Sequence, residues 1–176
     1  MSANHEKEHP LAIFRADASP AVGAGHVTRC LALAEALTER GWRCAFACRT
    51  ETFDVVPALV DAGHTVETVE RLADASELKR LWPEGCQLLV VDHYRLDASY
   101  ESRFRNWAAE ILIIDDLADR PHDCDVLLDQ TVGRSSGDYR RLAPSSCHIL
   151  TGPAYALLRQ QFAVAREAAL TRRQSK

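Results

Sequence analysis

The chain has 176 residues, 47% of them apolar, and a formal charge of -4. That length buries one sizeable core and falls short of two, so one domain is expected; the 26% charged content excludes a disordered composition, and no basic surplus points to nucleic acid. The polar opening MSANHEKEHP lacks the basic and apolar segments of a secretory leader, and no apolar run approaches the ~20 residues that cross a bilayer, so a cytoplasmic protein with no membrane partner is expected.

Residues 11–17, LAIFRAD, read as a short buried strand, and the glycine-punctuated SPAVGAG after them as a loop. From Val27 the apolar positions Val27, Cys30, Leu31, Ala34 and Leu37 fall on one helix face, with Gly41 as the stop. RCAFAC (43–48) reads as a second strand, residues 52–63 as a helical segment ended by Gly63, HTVETV (64–69) as a third strand, and residues 74–82 as a weaker helix. QLLVVDHY (87–94) and ILIIDD (111–116) are unbroken apolar runs ending in acidic residues, with an amphipathic helix expected near 97–109 between them; DVLLDQ (125–130) repeats the design. Strands buried on both faces read this way, and their alternation with helices predicts an α/β fold: a Rossmann-like, doubly wound parallel sheet. The tail from residue 156 reads as one helix that frays into a basic, linker-like end.

The six cysteines, Cys30, Cys44, Cys48, Cys86, Cys124 and Cys147, include no Cys-x-x-Cys pair and sit in a chain large enough to fold without staples, so they read as reduced, small core residues. Cys44 and Cys48 lie four apart in a strand and should share a face. His122-Asp123-Cys124 has no second ligand pair and reads as a turn with local hydrogen bonds; no metal is expected.

Ligands of open α/β sheets sit beyond the carboxyl ends of the strands. Those exits carry Arg15 and Asp17; Asp92, His93 and Tyr94; Asp115 and Asp116; and Asp129 and Gln130. A single aspartate there commonly caps the next helix, but so many polar groups on one edge suggest a site. The sharpest feature is Gly23-Ala24-Gly25-His26-Val27, where the first helix begins. Glycine lets a ligand approach the backbone, free helix N–H groups favour oxygen-rich ligands, and the positive end of the helix dipole disfavours imidazolium, leaving a histidine able to accept a proton. Two readings of His26 stay open on these grounds: a general base, or a helix-start histidine bonded to a backbone carbonyl. Asp115 and Asp116, as strand neighbours, point to opposite faces and exclude a paired-carboxylate glycosidase mechanism.

RADASPAVGAGHVTRCLALAEAL (15–37), VVDHY (90–94), IDDLADRPHDCDVLLDQ (114–130) and GPAYALLRQQF (152–162) together closely resemble the UDP-2,4-diacetamido-2,4,6-trideoxy-β-L-altropyranose hydrolases of pseudaminic acid biosynthesis, a pathway that serves flagellin glycosylation. The resemblance implies a glycosyltransferase-B-like architecture of two Rossmann-type domains with a UDP-sugar substrate in the cleft between them. Residues 1–10 would then be a polar tail, 11–162 the domain carrying the catalytic histidine, and 163–176 a helix end and linker to a carboxy-terminal UDP-binding domain that this chain lacks. It further implies that His26 is the catalytic residue and Tyr94 a sugar contact, that no cofactor takes part, and that water displaces UDP at the anomeric carbon with inversion. Asp17, Arg15, Gly23, Gly25, Arg29, Asp92 and His93 surround the same loop and exits and are candidate substrate contacts, Arg29 reading equally as a solvated helix residue. The chain departs from the family pattern at Thr131, where asparagine is common, and at Gln160, where proline often follows the arginine. The alternatives are the acceptor domain of a transferase of the same architecture and a non-catalytic half that binds a sugar or a partner.

Overall fold

Residues 9–158 are described by the structure, a computed structural model. Among these residues seven strands form a single sheet: β1 (Leu11–Ala16), β2 (Arg43–Cys48), β3 (Thr65–Thr68), β4 (Cys86–Asp92), β5 (Ala108–Ile114), β6 (Val126–Asp129) and β7 (His148–Thr151). Every pairing is parallel, in the order β3-β2-β1-β4-β5-β6-β7. The Rossmann-like fold expected from the alternating pattern is therefore present.

Unbroken apolar runs are needed because successive side chains feed two separate cores. Ile13, Leu89, Val91, Ile111, Ile113 and Leu127 pack on one face beneath Leu78 of helix α4 (Ala75–Leu81), Tyr100 of α5 (Ala98–Glu101), Phe104 and Tyr139. Their strand neighbours Phe14, Ala16, Phe46, Val90, Ile114 and Leu128 pack on the other, against Val27, Cys30, Leu31 and Ala34 of α1 (Gly25–Thr38). Cys44 and Cys48 both join this second core, as their spacing predicts, and all six cysteines are free. Among the described residues no helix is long and apolar enough to cross a membrane.

Four local readings differ from the structure. The segment expected as one helix over 52–63 is two short ones, α2 (Glu51–Val55) and α3 (Ala58–Asp61), broken at Val56. Pro57 disfavours helical backbone in the residue before it and lacks an N–H to continue the ladder. The helix expected near 97–109 is α5 followed by a 3-10 turn, Ser102–Phe104, and β5 has begun by Ala108. The chain is turned there by Trp107, whose carbonyl accepts from the Cys86 N–H and whose indole donates to the Trp82 carbonyl at 2.8 Å. Gly85 makes this approach possible, since a Cβ there would lie 2.0 Å from the Trp107 oxygen. β7 was not expected: it is a half-buried edge strand of four residues and lacks the apolar run of its neighbours. Finally, Ala156 is extended and no helix starts there; the rest of the expected tail helix, the 163–176 linker and residues 1–8 lie outside the described residues.

Candidate active site

The chain runs outward from β1 to β2 and β3, then crosses back to place β4 on the other side of β1. The carboxyl ends of β1 and β4 thus flank the switch point where such sheets form a crevice. The loop after β1 closes on itself through the Gly23 N–H, which donates to the Ser19 carbonyl at 2.7 Å, and Gly23 adopts φ +83°, a conformation that favours glycine. A Cβ at Gly23 or Gly25 would meet nothing within 4 Å, so the space above the loop is open. Helix α1 then begins without a side-chain cap or an acidic residue in its first turn.

His26, in that first turn, is buried at 4% exposure. Among the described residues neither ring nitrogen has a hydrogen-bond partner, which speaks against the reading of a histidine tied to a backbone carbonyl. Its Nε2 lies 4.0 Å from Asp92 Oδ1, and its ring meets the Tyr94 ring edge-on with centroids 4.3 Å apart. Asp92 is held by the Arg29 fork, Nε to one oxygen and Nη2 to the other at 2.6 Å, while Arg29 Nη1 reaches Asp116 at 3.0 Å. Arg29 is therefore not a solvated helix residue. Burial disfavours its charge, and the two carboxylates outweigh that cost and raise its pKa.

On the β1 side Arg15, fully buried, grips both oxygens of Asp17 at 2.7 and 2.9 Å, and the Arg49 N–H donates to the same carboxylate at 2.8 Å. Arg15 thus lies beneath the crevice and presents Asp17 to it. Burial works against the Asp17 charge, but Arg15 prevails and holds its pKa below the ordinary value. His93 accepts from the Arg95 N–H at Nδ1, so its proton sits on Nε2, 3.5 Å from Asp17 Oδ2. Burial and the neighbouring Arg15 push the His93 pKa down to about 4, leaving a neutral imidazole that can donate.

Two pockets share a wall formed by Val22, His26 and Tyr94. One, of about 190 Å³, is lined by Asp17, Ala18, Leu72 and His93; the other, of about 430 Å³, by Gly25, Arg29, Asp116 and Gln130. His26, Tyr94, Asp17, His93, Gly25 and Arg29 therefore line accessible space, Asp92 and Arg15 stand behind them, and Gly23 shapes the loop.

Asp115 and Asp116 diverge as strand alternation requires, Asp116 toward Arg29 and Asp115 into a buried network under β5 and β6. Its members are not a local turn. His122 Nδ1 pairs with Glu101 at 2.8 Å, Arg120 and Tyr139 bond Asp115, and Tyr139 also reaches Asp129 at 2.8 Å. Nothing in the spacing announced Glu101 or Tyr139, which meet their partners only through the fold. Among the described residues no group of three or more His, Cys, Asp or Glu side chains is placed to hold a metal ion.

No family model matches the chain. A UDP-2,4-diacetamido-2,4,6-trideoxy-β-L-altropyranose hydrolase of Campylobacter jejuni is 30% identical over 151 residues, which make up 85% of this chain and 52% of that protein. The chain spans about half the length of this curated relative, and over that half the similarity agrees with the resemblance carried by its motifs.

Proposed function

We propose that this chain is the histidine-bearing half of an enzyme that hydrolyses UDP-2,4-diacetamido-2,4,6-trideoxy-β-L-altropyranose to UDP and the free sugar, a step of pseudaminic acid biosynthesis serving flagellin glycosylation, in the cytoplasm. The observation that carries the reading is His26: a buried imidazole with both nitrogens unpaired among the described residues, in the crevice at the switch point of the sheet. In the step proposed, His26 takes a proton from water as the water oxygen bonds the anomeric carbon. The bond from that carbon to the diphosphate oxygen breaks, its electron pair leaves with UDP, and the configuration inverts. Asp92, 4.0 Å away, offsets the charge that His26 acquires and, clamped by Arg29, keeps a fixed position while doing so. Both His26 nitrogens are buried, and the Tyr94 ring, 40% exposed, packs edge-on against the imidazole where it can contact the sugar beside the base. Asp17 as acceptor and His93 Nε2–H as donor suit the sugar's polar groups. The remaining half of the protein, in a glycosyltransferase-B-like arrangement, holds UDP. Because UDP leaves readily as an anion, its charge needs stabilising more than its oxygen needs a proton.

The test is hydrolysis in ¹⁸O-labelled water by a protein containing both halves, with product analysis alone and with sugar acceptors. Label in the free sugar and none in UDP is expected. Transfer that requires an acceptor would assign a transferase, and binding without any UDP release would assign a non-catalytic module.

A further inference from the structure

At the edge of the sheet opposite His26, two thiols meet. Cys124 lies just before β6 and Cys147 directly before β7, and their sulfurs are 3.5 Å apart. The His148 N–H donates to the Asp125 carbonyl at 2.8 Å, which lays the two strand starts side by side. The register sets Val126 against His148, so Cys147 stands opposite Asp125, one residue along from Cys124, and the 3.5 Å contact of the sulfurs shows that the two side chains converge to within a short movement of a disulfide. The two cysteines differ in access. Cys124 is sealed in the core at 1% exposure, whereas Cys147 is half-buried and lines a pocket of about 350 Å³ with Tyr139, Arg140, Ala143 and Pro144.

We propose that Cys124 and Cys147 are a reversible thiol–disulfide site, with Cys147 as the thiol that peroxide oxidises first and Cys124 as the thiol that resolves it. The Cys147 thiolate attacks hydrogen peroxide, its sulfur gaining one oxygen as hydroxide departs; the Cys124 thiol then displaces that oxygen as water and the S–S bond forms. Two thiols and one peroxide give one disulfide and two waters, sulfur being oxidised and peroxide reduced. The contact itself divides the roles: the hydrogen bond to Cys124 draws the Cys147 thiol below its ordinary value, while that bond and burial push Cys124 up. The other four cysteines, Cys30, Cys44, Cys48 and Cys86, are all buried, and burial raises each of their thiols. The closed bond would fasten β6 to β7, which among the described strands stands at the sheet edge.

The test is peroxide treatment of the reduced, folded chain followed by intact and peptide mass spectrometry. The expected product is lighter by two hydrogens, yields a Cys124–Cys147 linked peptide and returns to the dithiol with dithiothreitol, its formation outpacing modification of the other four thiols about tenfold. Cys124→Ser is expected to accumulate a dimedone-reactive sulfenic acid at Cys147, and Cys147→Ser to leave Cys124 unmodified. The proposal is overturned if the folded chain keeps both thiols at peroxide doses that oxidise the urea-unfolded chain, if linkage is scattered over other cysteines, or if Cys124 reacts as fast in the Cys147→Ser chain.

Discussion

Replacing His122 by alanine is expected to remove about 3 kcal/mol of folding stability, because buried Glu101 loses its cationic partner and Asp115 keeps only Arg120. Glu101 and Asp115 have fully buried side chains; Glu101 Oε1 lies 2.8 Å from His122 Nδ1, and Asp115 Oδ2 lies 3.8 Å from His122 Nε2, an ion pair longer than a hydrogen bond. Burial opposes the imidazolium, and the carboxylates of Asp115 and Glu101 outweigh it, lifting the His122 pKa from 6.5 to about 9. A change of that size corresponds to about 3 kcal/mol, in line with the cost of breaking a buried pair. It is also a large part of the ~5–15 kcal/mol that holds a domain together. Since the folded chain binds this proton more tightly than the unfolded one, the contribution is complete below pH 6.5 and is lost as pH rises through about 9. Urea denaturation of both chains should therefore show a gap that is widest below about pH 6.5, narrows as pH rises toward 9 and loses this contribution above it. A gap under about 1 kcal/mol, or one that ignores pH, would refute the assignment of His122 as a buried cation of this network beside Arg120.

The remaining expectations concern turnover. Asp92→Asn, in the protein with both halves, should lower kcat on the order of 10²-fold or more with little change in KM, since the lost charge acts on His26 and not on substrate; steady-state kinetics checks the split. Tyr94→Phe removes one hydroxyl, a contact contributing about 0.5–1.5 kcal/mol, so kcat/KM should fall by about tenfold at most; a complete loss would make the phenol a proton carrier. The chain as it stands should melt cooperatively yet release UDP very slowly, because holding the diphosphate fixes the anomeric carbon against the base and such positioning contributes on the order of 7–11 kcal/mol. Rapid turnover by the purified chain would contradict that division of labour.

The parallel sheet was legible because Leu89-Val90-Val91 and Ile111-Leu112-Ile113 must satisfy cores on both faces, and only a doubly covered strand tolerates such runs. The site edge was legible for a related reason: charged residues that interrupt these runs fall at strand exits, and Gly23-Ala24-Gly25-His26 marks the turn into α1. β7 escaped because His148-Ile149-Leu150-Thr151 is an edge strand with only partial burial, so its composition resembles a loop. The shortened α5 escaped because its apolar spacing is helical, while the contacts of Trp107 with Trp82 and Cys86 that turn the chain into β5 are set by the fold. Arg29 shows the same limit inside the site. Its helix position fits solvent or carboxylates equally well, and only the arrival of Asp92 and Asp116 from β4 and β5, 63 and 87 residues away, decides the matter.

The central claim is that His26 accepts the proton of the attacking water. The most direct measurement is the rate of UDP release from the UDP-diacetamido sugar by the His26→Asn variant of the protein with both halves, set beside its affinity for the same substrate. Loss of turnover on the order of 10²–10⁴-fold with substrate binding retained is the expected result. Turnover near that of the unsubstituted protein would contradict it and place the base elsewhere.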